Sequence, residues 1–259
     1  PEEDILGGSM PLQIEFRPKT FDEMVGNEAV IDSLKSVLKR EDKPHAFLLS
    51  GPSGCGKTTL ARIIATELGA TEWDVIERDI AQVRSLDSIR DLRSEASFAP
   101  MYGNTKVYII DEVHKLLNDG QNALLKLLEE PPDHVYFVLC TTEPEKLLTT
   151  IRTRCSVYTV SSLTRQKMMK LLKGVMKKIK IDLSVEVLAA ITKASEGCPR
   201  KALVFLDQVQ GVQSDEDALE IIKKFSAQQA SVIDLCRALR SLDIRMVGEL
   251  IENLDEDPE

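Results

Sequence analysis

Between residues 46 and 160 the apolar positions fall into short dense runs, separated by stretches where they recur every three to four residues. The runs Ala46–Ser50, Trp73–Glu77, Lys106–Asp111, Val135–Thr141 and Ser156–Val160 predict strands. The spacing between them predicts helices over Lys57–Leu68, Leu86–Ser97, Gln121–Glu129 and Glu145–Arg152. Pro131-Pro132 stops one of these, since neither proline can donate the bond that continuation needs. Alternating strands and helices imply an α/β unit with a mostly parallel five-stranded sheet. After Ser162 the strand pattern gives way to amphipathic helices over Thr164–Lys180, Ser184–Ser195, Arg200–Gln210 and Asp215–Phe225, read as a small separate helical domain. A further pair, Ser231–Arg240 and Arg245–Leu254, is too little to form its own core and reads as the start of a truncated element. The expected division is residues 11–162, 163–226 and 227–259, with residues 1–10, where Gly7-Gly8-Ser9 runs into Met10, set aside as a cloning remnant.

The most specific chemistry lies where the first predicted strand meets the first helix. Gly51-Pro52-Ser53-Gly54-Cys55-Gly56-Lys57-Thr58 fits G-x-x-x-x-G-K-[ST] at every fixed position. Glycines let the backbone curl so that consecutive N–H groups point at phosphate oxygens, and the following helix offers the same anion its positive end. Lys57 would reach the β- and γ-phosphates of ATP and Thr58 would place its hydroxyl on Mg²⁺, with Thr59 completing the cradle. A glycine turn that merely joins a strand to a helix is the bland alternative, and the flanking pattern argues against it.

Val107-Tyr108-Ile109-Ile110-Asp111-Glu112 is a second signal: an apolar strand delivering two adjacent carboxylates at its end. Side chains alternate along a strand, so the two leave in different directions and take different jobs. Asp111 would hold Mg²⁺, and Glu112 would orient and deprotonate the attacking water. Gly51, Asp111 and Thr142 all fall beyond the carboxyl ends of predicted strands, where ligands sit in open parallel sheets.

Charge and cysteine usage narrow the partners. The net charge of −9 means that attraction to nucleic acid cannot come from the chain as a whole, so any DNA contact is local. The one local basic excess, Lys167, Lys170, Lys173, Lys177, Lys178 and Lys180, reads equally well as a solvated helix face. Five scattered cysteines without a C-x-x-C pair, and only three histidines, argue against a zinc site or a disulfide framework. His45, His114 and His134 read as packing or strand-edge residues. No apolar run approaches the ~20 residues that cross a bilayer, and no secretory pattern opens the chain, so an intracellular protein is expected, cytoplasmic or nuclear.

Both nucleotide motifs, together with Ile151-Arg152-Thr153-Arg154-Cys155, resemble the AAA+ ATPases of sliding-clamp loaders: the replication factor C small subunits and the gamma/tau subunit of the bacterial polymerase III loader. Phe98-Ala99-Pro100, the strand through His114 and Asn122-Ala123-Leu124-Leu125-Lys126-Leu127-Leu128-Glu129-Glu130-Pro131-Pro132 are especially similar to the bacterial subunit, and Phe16-Arg17-Pro18 through Val25-Gly26 resembles the opening shared by both branches. The bacterial four-cysteine zinc module is absent, since Leu68-Gly69-Ala70-Thr71 passes straight to the next strand.

The resemblance implies an AAA+ P-loop fold with a helical lid and the start of a helical collar. It implies that Val25 and Gly26 border the adenine, that Thr142 is the polar sensor of the γ-phosphate, and that Arg200, in Gly197-Cys198-Pro199-Arg200, is the second sensor on the lid. It makes Arg154 the finger that completes a neighbouring subunit's site, with Thr153 in place of the family serine. Arg200 begins a predicted helix, a poor place for a cation unless an anion lies nearby. The implied partners are other loader subunits in a homo- or hetero-oligomer, expected to be pentameric, a sliding clamp, and primer–template DNA, faced by the helix Leu86–Ser97, where Arg84, Arg90 or Arg93 and the helix N-terminus would contact phosphates. Two rival readings keep the same motifs: a branch-migration or remodelling motor, and a scaffold subunit that holds ATP without splitting it.

Overall fold

The computed structural model describes residues 10–80, 92–212 and 214–226. Its centre is a sheet of β1 (Ala46–Ser50), β2 (Val75–Asp79), β3 (Lys106–Asp111), β4 (Val135–Thr141) and β5 (Ser156–Thr159). The spatial order is β2-β3-β4-β1-β5 and every adjacent pair is parallel.

Alternate side chains of the central strands enter two different cores, which is why these strands read as unbroken apolar runs. Phe47, Leu49, Val107, Ile109, Val138 and Cys140 pack on one face, with Leu60, Ile63 and Ile64 of the helix Lys57–Glu67 and with Ile31 and Leu34 of the helix Glu28–Leu38. Leu48, Tyr108, Ile110, Phe137 and Leu139 pack on the other, with Leu124, Leu127 and Leu128 of the helix Asn118–Glu129. Each fully buried leucine contributes roughly 1.5–3 kcal/mol of transfer free energy, so these two faces fix the register of β1, β3 and β4.

A third core lies in the helical region. Met168, Leu172, Val187, Ile191, Phe205 and Leu206 meet between the helices Arg165–Ile179, Val185–Ala194 and Pro199–Val209, and residues 215–226 add a further helix. Thr164 and Ser184 cap the first two by accepting the backbone N–H of Lys167 (3.4 Å) and Val187 (3.2 Å). The opening segment ties this region to the sheet: Leu12 is buried among the helices, Phe16 and Val25 pack against them, and Phe21 and Met24 pack on the sheet's first core. Asn27 secures the junction by donating to the Ser161 carbonyl (3.1 Å) and accepting from its N–H (2.8 Å).

Three expected elements differ. Trp73 is not in a strand but in a 3-10 turn, Glu72–Asp74, with 75% of its surface exposed, and β2 begins two residues later. The stretch expected as a helix over Glu145–Arg152 is a 3-10 turn, Pro144–Lys146, followed by a separate helix, Thr149–Arg154. Buried Gln121 enforces this break, donating to the carbonyls of Leu116 (3.2 Å) and Lys146 (3.4 Å) and accepting from the N–H of Leu148 (2.9 Å). The helix Asn118–Glu129 starts three residues before its expected first residue. The expectation for Leu86–Ser97 lies partly outside the described residues, within which 92–96 are helical. The expected helices Ser231–Arg240 and Arg245–Leu254, together with Arg84 and Arg90, lie wholly outside them. Among the described residues no helix is long and apolar enough to cross a membrane.

Asp74 is the carboxylate that organises the path into β3. It is 1% exposed and accepts from the Thr71 hydroxyl (2.6 Å) and from the backbone N–H groups of Met101, Tyr102 (3.2 Å) and Gly103 (2.9 Å). Burial pushes its pKa up, but the hydrogen bonds from Thr71, Met101, Gly103 and Tyr102 outweigh that and hold it below the ordinary carboxylate value. A depressed folded pKa stabilises the fold above the unfolded value of about 3.9, and the stabilisation is lost as pH falls through the folded pKa. Asp74→Ala is therefore expected to cost about 2–3 kcal/mol in urea unfolding at pH 7, a deficit that shrinks below about pH 4. A deficit unchanged into acid would contradict the charged, hydrogen-bonded role.

Candidate nucleotide site

The strand order places the ends of β1, β3 and β4 side by side. Ser50 is in register with Thr141, and Ile110 with Leu139, so Gly51, Asp111 and Thr142 leave the sheet along one edge. The turn out of β1 is pinned on both sides: the Gly51 N–H donates to the Thr141 carbonyl (3.2 Å), and the Val160 N–H donates to the Ser50 carbonyl (2.7 Å). A Cβ at Gly51 (φ +151°) would lie 2.0 Å from the Val160 carbonyl oxygen, and one at Gly54 (φ +70°) would lie 2.3 Å from Cys198 Sγ. Glycine is thus required at both positions by close approach as well as by conformation. Cys55 is buried and donates its thiol to the Val160 carbonyl (3.6 Å), and burial pushes its pKa up, so it serves as a packing thiol.

Lys57 opens the helix Lys57–Glu67 and is only 6% exposed. Its ammonium donates to two neutral carbonyls, those of Gly51 (2.9 Å) and Pro52 (2.9 Å), and among the described residues no carboxylate pairs with it. A buried cation held by carbonyl dipoles at a helix N-terminus fits an anionic ligand. The neighbouring Thr58 donates its hydroxyl to Asp111 Oδ2 (2.8 Å), while Asp111 Oδ1 accepts the N–H of Glu112 (2.9 Å). A hydroxyl and a carboxylate in contact beside a phosphate loop form a donor set that fits Mg²⁺.

A cleft runs from these groups to the helical region. Ser53, Gly54, Cys55, Gly56, Lys57, Thr58, Thr59, Asp111 and Glu112 form its polar end, and Phe16, Met24, Val25, Leu163, Leu171 and Leu203 form an apolar end. Gly26 lies against Leu163 at that end. Arg200, the second residue of the helix Pro199–Val209, faces the same cleft from the helical side together with Arg17 from the opening segment. Burial lowers the pKa of Arg17, the charges of Arg62 and Arg200 lower it further, and Glu77, itself paired with Arg62 (2.6 Å), partly offsets them. Sequence reasoning did not single out Arg17, nor Gln13, whose Oε1 is buried without a hydrogen-bond partner where Gln13 lines the cleft. Only the docking of the opening segment against the helical region brings them here.

Thr142 and Arg154 do not line this cleft. Thr142 donates to Glu112 Oε2 (3.1 Å), so it reaches the site through the second carboxylate. Arg154 ends the helix Thr149–Arg154 and pairs with Glu129 (2.5 Å). His114, expected as a packing residue, instead touches Glu112 (3.3 Å).

The sheet order and the composite site define an AAA+ P-loop nucleotide-binding module. Comparison with known proteins agrees. A family model for the P-loop domain of Rad17 matches residues 15–98, and one for the DNA polymerase III delta subunit matches residues 70–164. DNA polymerase III subunit tau of Bacillus subtilis is 36% identical over 266 residues, covering 93% of this chain and 46% of that protein. The Escherichia coli tau subunit is 37% identical over 215 residues, covering 75% of this chain and 33% of its own length. The chain is thus similar over most of its own length to these polymerase III subunits, and it spans less than half the length of either relative. Among solved structures, the Thermotoga maritima RuvB Holliday junction branch migration motor superposes with a TM-score of 0.65 at 25% identity, over 81% of this chain and 72% of that one, a likeness of fold.

The burial of Lys57 on two neutral carbonyls yields a test that separates stability from binding. Lys57→Met removes a costly buried charge, so the nucleotide-free protein is expected to be as stable as wild type or more stable by about 1 kcal/mol, while stabilisation by ATP disappears. Thermal melts with and without ATP check this. A variant clearly less stable without ATP would assign Lys57 a structural role.

Proposed function

We propose that this chain is an ATPase subunit of a DNA sliding-clamp loader, with residues 11–162 as its nucleotide-binding domain and 163–226 as the lid. One observation carries the reading: Lys57, held by two neutral carbonyls, shares one cleft with Arg17 and Arg200, while Arg154 stands outside it on Glu129. A site rich in cations but lacking its last arginine is what a subunit needs if a neighbour finishes the chemistry.

In this reading Lys57 and the loop N–H groups bind the β- and γ-phosphates of ATP, Arg200 senses them from the lid, and Val25 and Gly26 border the adenine. Mg²⁺, held by Thr58 and Asp111, supplies charge neutralisation at the phosphates. Glu112 orients the attacking water and takes its proton, while Thr142 keeps that carboxylate aligned and monitors the γ-phosphate. Arg154 belongs to the adjacent subunit's site, and such a finger supplied in trans is worth about 10³–10⁵ in rate. Hydrolysis is thereby tied to assembly. ATP binding would draw the subunits, a pentamer in this reading, into a ring-opening arrangement that grips the clamp and primer–template DNA, and hydrolysis would release both. The polymerase III relatives favour this reading; the RuvB likeness extends to the fold, which a branch-migration motor shares.

Arg154→Ala is the decisive variant. ATP binding should stay within about two-fold of wild type, while turnover stimulated by DNA and clamp falls by at least about 10³. Normal stimulated turnover would rule out the trans finger. Strand displacement by the assembled protein without any clamp would favour the motor instead.

A further inference from the structure

Behind the strand ends, His114 stands between two carboxylates. It lies in the short turn Val113–His114–Lys115, immediately after Glu112, and its side chain is 6% exposed. Its Nδ1 is 3.3 Å from Glu112 Oε2 and 3.0 Å from Thr141 Oγ1, and its Nε2 is 3.2 Å from Glu143 Oε1. Glu143 is braced in turn by Lys146 (2.5 Å), and its N–H donates to Thr141 Oγ1 (3.1 Å). The ring is thus fixed from three sides, two of them at the end of β4. Its contacts Thr141 and Glu143 flank Thr142, which donates to the same Glu112 oxygen (3.1 Å).

We infer that His114 is a positioning residue: braced by Glu143, it holds the Glu112 carboxylate in the orientation from which that group takes the proton of the attacking water. The inference rests on the ATPase reading above and adds the residue that aims its base. Glu112 needs such a support. Its backbone sits in the left-handed region at φ 52°, ψ 41°, unusual for a residue other than glycine, and strain of that kind persists only where surrounding contacts over-determine it. Its carboxylate has three side-chain torsions to freeze, whereas a buried ring held at both nitrogens has almost no freedom of its own. Positioning of this sort acts on the transition state rather than on nucleotide binding, because Glu112 touches the water and not the phosphates that set affinity.

Two substitutions separate positioning from packing. His114→Phe keeps a planar ring and loses both nitrogens; His114→Asn gives up the ring and keeps a donor near the Nδ1 position. With ATP hydrolysis measured on the assembled complex in the presence of primer–template DNA, His114→Phe should lower kcat about ten-fold or more, up to the 10²–10⁴ that a general base supplies, with KM within about two-fold. His114→Asn should recover most of that loss. Wild-type kcat in His114→Phe, or His114→Asn no better than His114→Phe, would overturn the inference. Should His114→Phe melt early, Glu143→Gln, at a half-exposed position, offers a second route: kcat falls at constant KM if the brace matters and is unchanged if it does not. Glu112→Gln serves as the reference. Wild type no faster than Glu112→Gln would defeat the ATPase reading itself, whereas wild type faster than Glu112→Gln but matched by His114→Phe would defeat only the role of His114.

Discussion

The structure depends on β1 lying in parallel register between β4 and β5. Backbone hydrogen bonds on both sides fix the end of β1: Gly51 N–H to the Thr141 carbonyl, and Val160 N–H to the Ser50 carbonyl. The chain then has no room for a side chain at residue 51, and it must turn straight into the helix that begins at Lys57. The same register sets Asp111 and Thr142 beside that turn, so one topological fact assembles the phosphate loop, a carboxylate for a cation and a hydroxyl for the second carboxylate. Two apolar cores, one on each face of the sheet, hold this register, because a slip by one residue would exchange their contents.

Electrostatics turn that geometry into a nucleotide site. Lys57 is buried on neutral carbonyls, Arg200 sits at a helix start, and Arg17 feels both burial and neighbouring positive charge. A buried ammonium on carbonyl dipoles and a cation at a helix start are settings that suit an anionic ligand. The carboxylates beside Lys57 have other partners: Asp111 accepts from Thr58 and from the Glu112 N–H, and Glu112 contacts Thr142 and His114.

Much of this is legible in the sequence because its parts are local. The strands at Ala46, Lys106 and Val135 have the expected boundaries, since an apolar run between turn residues leaves little choice, and the phosphate loop is a contiguous motif. The errors arise where tertiary contacts override local preference. Trp73 has high strand propensity, yet the Thr71–Asp74 hydrogen bond closes a turn there. Residues 145–152 have helical spacing, yet Gln121, more than twenty residues upstream, takes up the backbone groups at Lys146 and Leu148. The helix Glu28–Leu38 went unanticipated even though Ile31, Leu34 and Leu38 line one face, a spacing that would have shown it. Gln13, Arg17, Leu171 and Leu203 enter the cleft only through docking of the opening segment and the helical region, and no local pattern announces that. His114 looked inert because a histidine's role depends on what its ring touches.

In the proposed assembly each subunit holds half of a hydrolytic site and completes another's. Mixing two defective subunits tests it most directly, one carrying Lys57→Ala and the other Arg154→Ala, assembled together and compared with each alone. Neither alone should turn over ATP with DNA and clamp present, and the mixture should regain turnover where an intact loop meets an intact finger. A mixture as inactive as its parts, or an Arg154→Ala assembly that turns over unaided, would contradict it.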